Sequence, residues 1–163
     1  MYLLDSNVFI EAANRYYAFD ICPGFWDWLD QVCPGRDVFS IEPVYRELAD
    51  KSDELAAWVK GRRDADRFLP VDDEATQNHF AGIARTIQAG PAQNAAKQKF
   101  LAGADPWLVA KALTAGATVV THERPLAANA TRRISLANLC QQHEISYIDS
   151  FALLRKFEAQ FHY

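Results

Sequence analysis

Cysteine is scarce in this chain of 163 residues: only Cys22, Cys33 and Cys140 occur, widely spaced and with no CxxC pair. That pattern argues against a disulfide frame and against a cysteine zinc site, and fits ordinary thiols in a reducing cytoplasm. No apolar run approaches the ~18 residues a membrane span needs, so no membrane partner is expected. The N-terminus lacks a basic region followed by a long apolar core, the mark of a secretory signal. His79, His122, His143 and His162 show no HExxH or other paired spacing, which argues against zinc. The first strand–helix turn has no GxGxxG, and GxxxxGK[ST] occurs nowhere, so a nucleotide-cofactor fold is not expected. Excess positive charge is also missing: the net charge is −4. Any nucleic-acid binding must therefore use a local basic patch or a metal ion.

What is present is apolar and aromatic. Half of the residues are hydrophobic, with 10 Phe, 6 Tyr and 4 Trp, which predicts a folded globule. The length suits one domain with a sizeable core, so residues 1–163 are read as a single domain without repeats or linkers.

Strand and helix signals alternate. Tyr2–Leu4 reads as a first strand, followed by a helix to about Tyr17 that Ser6 or Asn7 would cap. Phe25, Leu29 and Val32 recur at helical spacing over 25–33, and Pro34-Gly35 would end that helix. Val38-Phe39 is a brief strand, with Ser40 expected as the N-cap of a helix to about Lys51. A helix over roughly 53–62 and a strand at Phe68–Val71 come next. Asp72 or Asp73 then caps a long helix to Ala89, which Gly90-Pro91 breaks. Residues 92–103 read as a loop or weak helix. Asp105-Pro106 opens a helix through Ala115, and Gly116 suits the position just past its end. Ala117–Thr121 is a β-branched strand, followed by a helix near 135–143, a strand at Ile145–Ile148 and a terminal helix from Ser150. This alternation predicts an α/β protein with a parallel sheet of about five strands, covered on both faces.

In such a sheet every strand ends at one edge, and every following helix starts there. Asp5 ends the first strand, Asp105 begins a helix, and Glu123 stands two residues beyond Thr121. Connectivity alone sends these three acids toward the same edge. Glu47 borders the apolar arc of Ile41, Val44, Tyr45 and Leu48, a position that can point along that edge. Carboxylates gathered without cations repel one another. Mg²⁺ or Mn²⁺ removes that penalty, and these ions accept oxygen ligands together with water and phosphate. The candidate site is therefore Asp5, Glu47, Asp105 and Glu123, serving phosphodiester chemistry.

Each acid also has a plain structural reading. Asp5 and Asp105 are good helix caps, Glu47 resembles the solvated flank of its helix, and Glu123 beside Arg124 suits an exposed turn. Lys97, Lys99, Arg132 and Arg133 fit a solvated surface or contacts to phosphate. A surface place is the expectation for His122.

Four ordered segments resemble the motifs of PIN-domain nucleases, the family that includes VapC-type toxins. They are YLLDSNVFI (2–10) with Asp5, PVYRELAD (43–50) with Glu47, ADPWLVAKAL (104–113) with Asp105, and TVVTHE (118–123) with Thr121 and Glu123. The resemblance implies a three-layer α/β/α sandwich and Mg²⁺- or Mn²⁺-dependent hydrolysis of RNA. For a toxin it implies a cognate antitoxin and often a homodimer. The chain departs from a minimal toxin domain by extra sequence near 18–36 and 90–103. Two other readings compete. A haloacid-dehalogenase-like phosphohydrolase also starts from a strand ending in aspartate, but it needs an acid where Asn7 stands. An idle PIN-like module that only binds protein would not need the acid set.

Overall fold

The computed structural model describes residues 1–32, 35–63 and 66–161. The expected chain end of the second helix at Cys33-Pro34 and the histidine at 162 lie outside these residues. Five short strands, β1 (Tyr2–Leu4), β2 (Val38–Ile41), β3 (Phe68–Leu69), β4 (Thr118–Val120) and β5 (Tyr147–Ile148), form one sheet in the order β3-β2-β1-β4-β5. Every pairing is parallel, with Tyr2 beside both Val38 and Thr118. The chain walks outward from β1 to β3, then crosses back to β4 and walks outward the other way. Because parallel crossovers are right-handed, the two halves send their helices to opposite faces of the sheet. The ends of β1 and β4 thus flank the point where the winding reverses, and a crevice opens there.

Between the strands lie α1 (Ser6–Glu11), α2 (Pro23–Val32), α3 (Glu42–Ala49), α4 (Glu54–Lys60), α5 (Glu74–Ala89), α6 (Asn94–Ala102), α7 (Asp105–Ala115) and α8 (Leu136–Gln142), and α9 (Ser150–Lys156) follows β5. The central strands are apolar on both faces: Leu3, Leu4, Val38, Ile41, Val119 and Val120 are buried, as a sheet covered on both sides requires. Asp53, Asp73 and Asp149 each accept a backbone N–H at the start of a helix, capping α4, α5 and α9. Asp73 also accepts from Lys111 Nζ at 2.7 Å, tying α5 to α7, and the Lys111 ammonium beside it holds its carboxyl well below the usual range. Gly116 takes the left-handed conformation, φ 61°, that ends α7.

Several local expectations change in the folded chain. Ser40 is not an N-cap. It lies inside β2, and its Oγ donates to Leu4 O at 2.6 Å, because a buried hydroxyl must find a partner within the sheet. The third and fifth strands are shorter than their apolar runs, since edge strands pair on one side only. Residues 94–102 are helical, α6. Lys97 is buried there rather than solvated, with its ammonium donating to Gln88 O at 2.8 Å. The first helix does not continue as an α-helix to Tyr17: it widens into a π-helical turn over Ala12–Tyr16.

Candidate active site

Asp5 leaves the end of β1 and is only 3% exposed. It stands at the start of α1, yet its side chain makes no capping hydrogen bond there. Instead Oδ2 accepts from Thr121 Oγ1 at 2.8 Å, across the join between β1 and β4. Thr121 Oγ1 also receives Glu123 N at 3.0 Å and Asn7 Nδ2 at 3.3 Å. Asn7 Oδ1 in turn accepts from His122 N at 3.2 Å. Asn7 is thereby spent on bracing β4 against α1, and no acid stands in its place.

Asp105 opens α7 without capping it. It lines the same cleft as Asp5, Glu47 and Glu123, a space of about 540 Å³ whose other walls include Ser6, Asn7, Phe100 and Gly103. Lys99, Arg132 and Arg133 stand at this cleft as well. All four acids meet in one cleft, Asp5, Asp105 and Glu123 from strand ends and a helix start, and Glu47 from the border of its helix's apolar arc. The four are not equivalent, however. Glu47 accepts from Ser6 Oγ at 2.5 Å through Oε2 and from Ala104 N at 2.8 Å through Oε1. Glu123 accepts from Leu136 N at 2.9 Å through Oε2, and its Oε1 pairs with Arg133 at 3.2 Å. Both glutamates therefore have each oxygen engaged by the protein. Gly103 belongs to this arrangement, since a Cβ there would lie 3.3 Å from Glu47 Oε1. No sequence pattern marks that glycine or the Ser6–Glu47 bond. Both result from how α1, α3 and the start of α7 meet.

The electrostatics separate the aspartates further. Burial pushes the Asp5 carboxyl up to about 7, with Glu123 and Glu47 adding repulsion and Thr121 and the Ser6 backbone opposing the shift. Burial, followed by the charges of Asp5, Glu123 and Glu47, pushes Asp105 up to about 8. Cys140 is fully buried nearby, and burial together with these carboxylates raises its thiol to about 12. It stays a neutral thiol, unsuited to nucleophilic chemistry.

Two repelling carboxyls in a cleft with cationic side chains fit a hard divalent cation. Among the described residues no three His, Cys, Asp or Glu side chains group closely enough to cage an ion. For Mg²⁺ or Mn²⁺ such a donor set could offer one or two carboxylates, leaving the remaining positions to water and phosphate. It does not fit a closed structural site. Asp5 and Asp105 are the residues that would hold the ion, with Glu47 and Glu123 supporting from hydrogen-bonded positions.

A family model described as "Domain of unknown function (DUF4411)" matches residues 2–161. The chain belongs to the DUF4411 family. Comparison with curated proteins gives no significant match. Among solved structures, this DUF4411 chain is similar to FitAcB from Neisseria gonorrhoeae, at 20% identity over 91% of this chain and 96% of that one, with a TM-score of 0.53. VapBC-1 from nontypeable Haemophilus influenzae is similar at 18% identity, 91% and 96% coverage and a TM-score of 0.52. FitAB bound to an IR36 DNA fragment gives 19% identity, 91% and 94% coverage and a TM-score of 0.53. These neighbours are PIN-domain toxin–antitoxin complexes. At such identities the likeness is one of fold, and the DUF4411 chain has a PIN-like α/β fold. No helix among its described residues is long and apolar enough to cross a membrane.

Proposed function

We propose that this DUF4411 chain is a Mg²⁺- or Mn²⁺-dependent endoribonuclease, and that it acts as the toxin of a toxin–antitoxin pair in the cytoplasm. The observation that carries the reading is the pairing of Asp5 and Asp105, two carboxyls raised to about 7 and 8 in one cleft beside Lys99, Arg132 and Arg133. Acids held apart from solvent and beside bases suit a ligand that brings both a cation and phosphate.

When bound, the cation supplies Lewis acidity toward a phosphoryl oxygen and an acidified water for attack. The remaining work falls to the chain. Asp5 and Asp105 would hold the ion. Thr121 fixes which oxygen of Asp5 faces the protein, and so which remains for the cleft. Glu47, clamped by Ser6 and Ala104 N, adds negative charge without moving. Lys99 and Arg132 attract the phosphates that flank the cleaved bond. Arg133 is held against Glu123, so incoming phosphate competes for it.

The toxin part of the reading is supported by the neighbours, which are toxin–antitoxin complexes of the same fold. An antitoxin and a second copy of the chain are the expected protein partners. The test is cleavage of total RNA by wild type and Asp5→Asn in Mn²⁺, Mg²⁺ or excess EDTA. Cleavage by wild type alone, and only with metal, is the expected result. Equal cleavage by both proteins would overturn it.

A further inference from the structure

The π-helical turn at Ala12–Tyr16 follows directly on α1, whose Asn7 and Ile10 line the cleft, and none of its own residues does. Its closing bond runs from Tyr17 N to Ala12 O at 2.7 Å. One extra residue in a turn rotates the succeeding residues by about 100° relative to a continuous α-helix. The two adjacent tyrosines at the end of this turn have rings 6.4 Å apart at 57° but meet different surroundings. Tyr17 turns inward and stacks on Phe25 with centroids 4.4 Å apart at 12°. Its carbonyl accepts from Trp26 Nε1 at 2.7 Å, which locks the end of the turn. Tyr16 turns outward and stays 45% exposed. Among the described residues, Met1 and Ile21 are the other large apolar side chains left exposed.

Tyr16 is not alone there. Its ring lies 5.1 Å from Phe151 at 74° and 5.7 Å from His122 at 45°. His122 and Phe151 are 5.7 Å apart, so the three rings touch one another. His122 Nε2 and Ser150 Oγ, 3.0 Å apart, fix the imidazole. The cluster is joined to the carboxylate cleft by Asn7, which lines the cleft and holds His122 N. On its far side, Phe151 also walls a groove of about 420 Å³ shared with Tyr17, Arg155 and Phe161. The cleft with its carboxylates and bases, the aromatic cluster and the groove that holds Arg155 are thus linked through Asn7, His122 and Phe151.

We infer that Tyr16, His122 and Phe151 form a stacking platform for an unpaired base of a single-stranded RNA whose adjacent phosphate enters the cleft of Asp5 and Asp105. The inference rests on the nuclease reading above and names the substrate as single-stranded. A strand that places a phosphate in the cleft must place a base next to it. Every base has a π-face, and stacking on an exposed ring accepts any sequence. Arg155 beyond the rings and Lys99 and Arg132 before them match the charge of a continuing backbone.

The test is fluorescence anisotropy with short fluorescein-labelled single-stranded RNAs in EDTA, where no cleavage occurs. An abasic site is placed at each position in turn, and wild type, Tyr16→Leu and Tyr16→Phe are compared. Wild type is expected to lose about ten- to hundredfold in affinity at one or two abasic positions. Tyr16→Leu is expected to bind the intact RNA that much more weakly and to lose the abasic sensitivity. Tyr16→Phe, which keeps the ring, is expected to keep both, whereas a merely structural role for the ring would weaken binding in Tyr16→Leu without removing the abasic position dependence. Identical abasic profiles for wild type and Tyr16→Leu would overturn the platform, as would the absence of RNA binding by wild type. An antitoxin-docking role for these rings would give the first of those results. Parallel assays in Mn²⁺ separate the two claims. Equal binding and cleavage by wild type and Tyr16→Leu would retire the platform and leave the nuclease. Ring-dependent binding without cleavage by wild type would retire the nuclease and leave the platform.

Discussion

Thr121 Oγ1 donates a 2.8 Å hydrogen bond to Asp5 Oδ2, joining residues 116 positions apart at the carboxyl ends of β1 and β4. Both groups are buried. The bond lies in a shielded place, where its loss costs more than at the surface, and it is charge-assisted whenever Asp5 is ionised. Thr121→Val keeps the shape and removes the donor. The Asp5 carboxyl then rises further, because this bond is the main influence holding it down. The expected outcome is a stability loss of about 1.5–3 kcal/mol. Metal-dependent cleavage should also need a higher pH, while Thr121→Ser behaves like wild type. Urea melts and a pH–rate profile check it.

Asp5→Asn and Asp105→Asn should each abolish cleavage yet stabilise the metal-free protein. Each removes one of two carboxyls whose ionisation burial and mutual repulsion oppose. A gain of roughly one kcal/mol would raise Tm by about 3 °C for a chain of this size. Calorimetry in EDTA near pH 9, above both folded-state values, is the measurement. A lower Tm for both variants would mean that the carboxylates are structural.

The same two groups set a pH dependence. Their folded-state pKa values, about 7 and 8, exceed the ordinary 3.8. Between those values the folded chain binds more protons than the unfolded chain, so stability falls as pH rises. In EDTA, Tm is expected to drop between about pH 5 and pH 8.5, the region of excess proton binding. Saturating Mg²⁺ or Mn²⁺ should restore more at the higher pH, because a cation competes with those protons. A stabilisation by metal that is the same at both ends would contradict the assignment of Asp5 and Asp105 as ligands.

Two glycines offer a contrast. At Gly103 an added Cβ meets Glu47 Oε1 at 3.3 Å, so Gly103→Ala pushes on the clamped glutamate. The expected effect is a loss of activity with little change in melting temperature. Gly116 has open space around it but φ 61°, so Gly116→Ala costs about 1–2 kcal/mol of stability and leaves cleavage intact. Parallel melts and activity assays of both variants test the pair.

Much of this architecture is legible in the residues. Asp73 and Asp149 cap their helices, Gly116 ends α7, and the alternation of strand and helix signals leads to five parallel strands. Those features are local, and each is enforced within a few positions by backbone hydrogen bonding. The gathering of Asp5, Asp105 and Glu123 is also foreseeable, because parallel connectivity sends strand ends and helix starts to one edge, and Glu47 joins them through the orientation of its helix. Ser40 and Lys97 depart from their local patterns, since each is placed by a partner remote from its own element: Leu4 O for the hydroxyl and Gln88 O for the ammonium.

The sequence by itself determined the α/β alternation and the edge to which Asp5, Asp105 and Glu123 are sent, because hydrophobic period is set by neighbouring residues and a parallel sheet puts strand ends and helix starts on one side. Only the tertiary structure decided which acids keep free oxygens. Ser6 and Ala104 N occupy Glu47, while Arg133 and Leu136 N occupy Glu123, and none of these bonds has a sequence signature. Only the fold, too, set Tyr16 on the outside, through a π-turn whose extra residue no periodicity announces. Hydrogen bonds between distant segments and the rotation of one turn depend on how whole elements pack, and that packing is a property of the assembled chain.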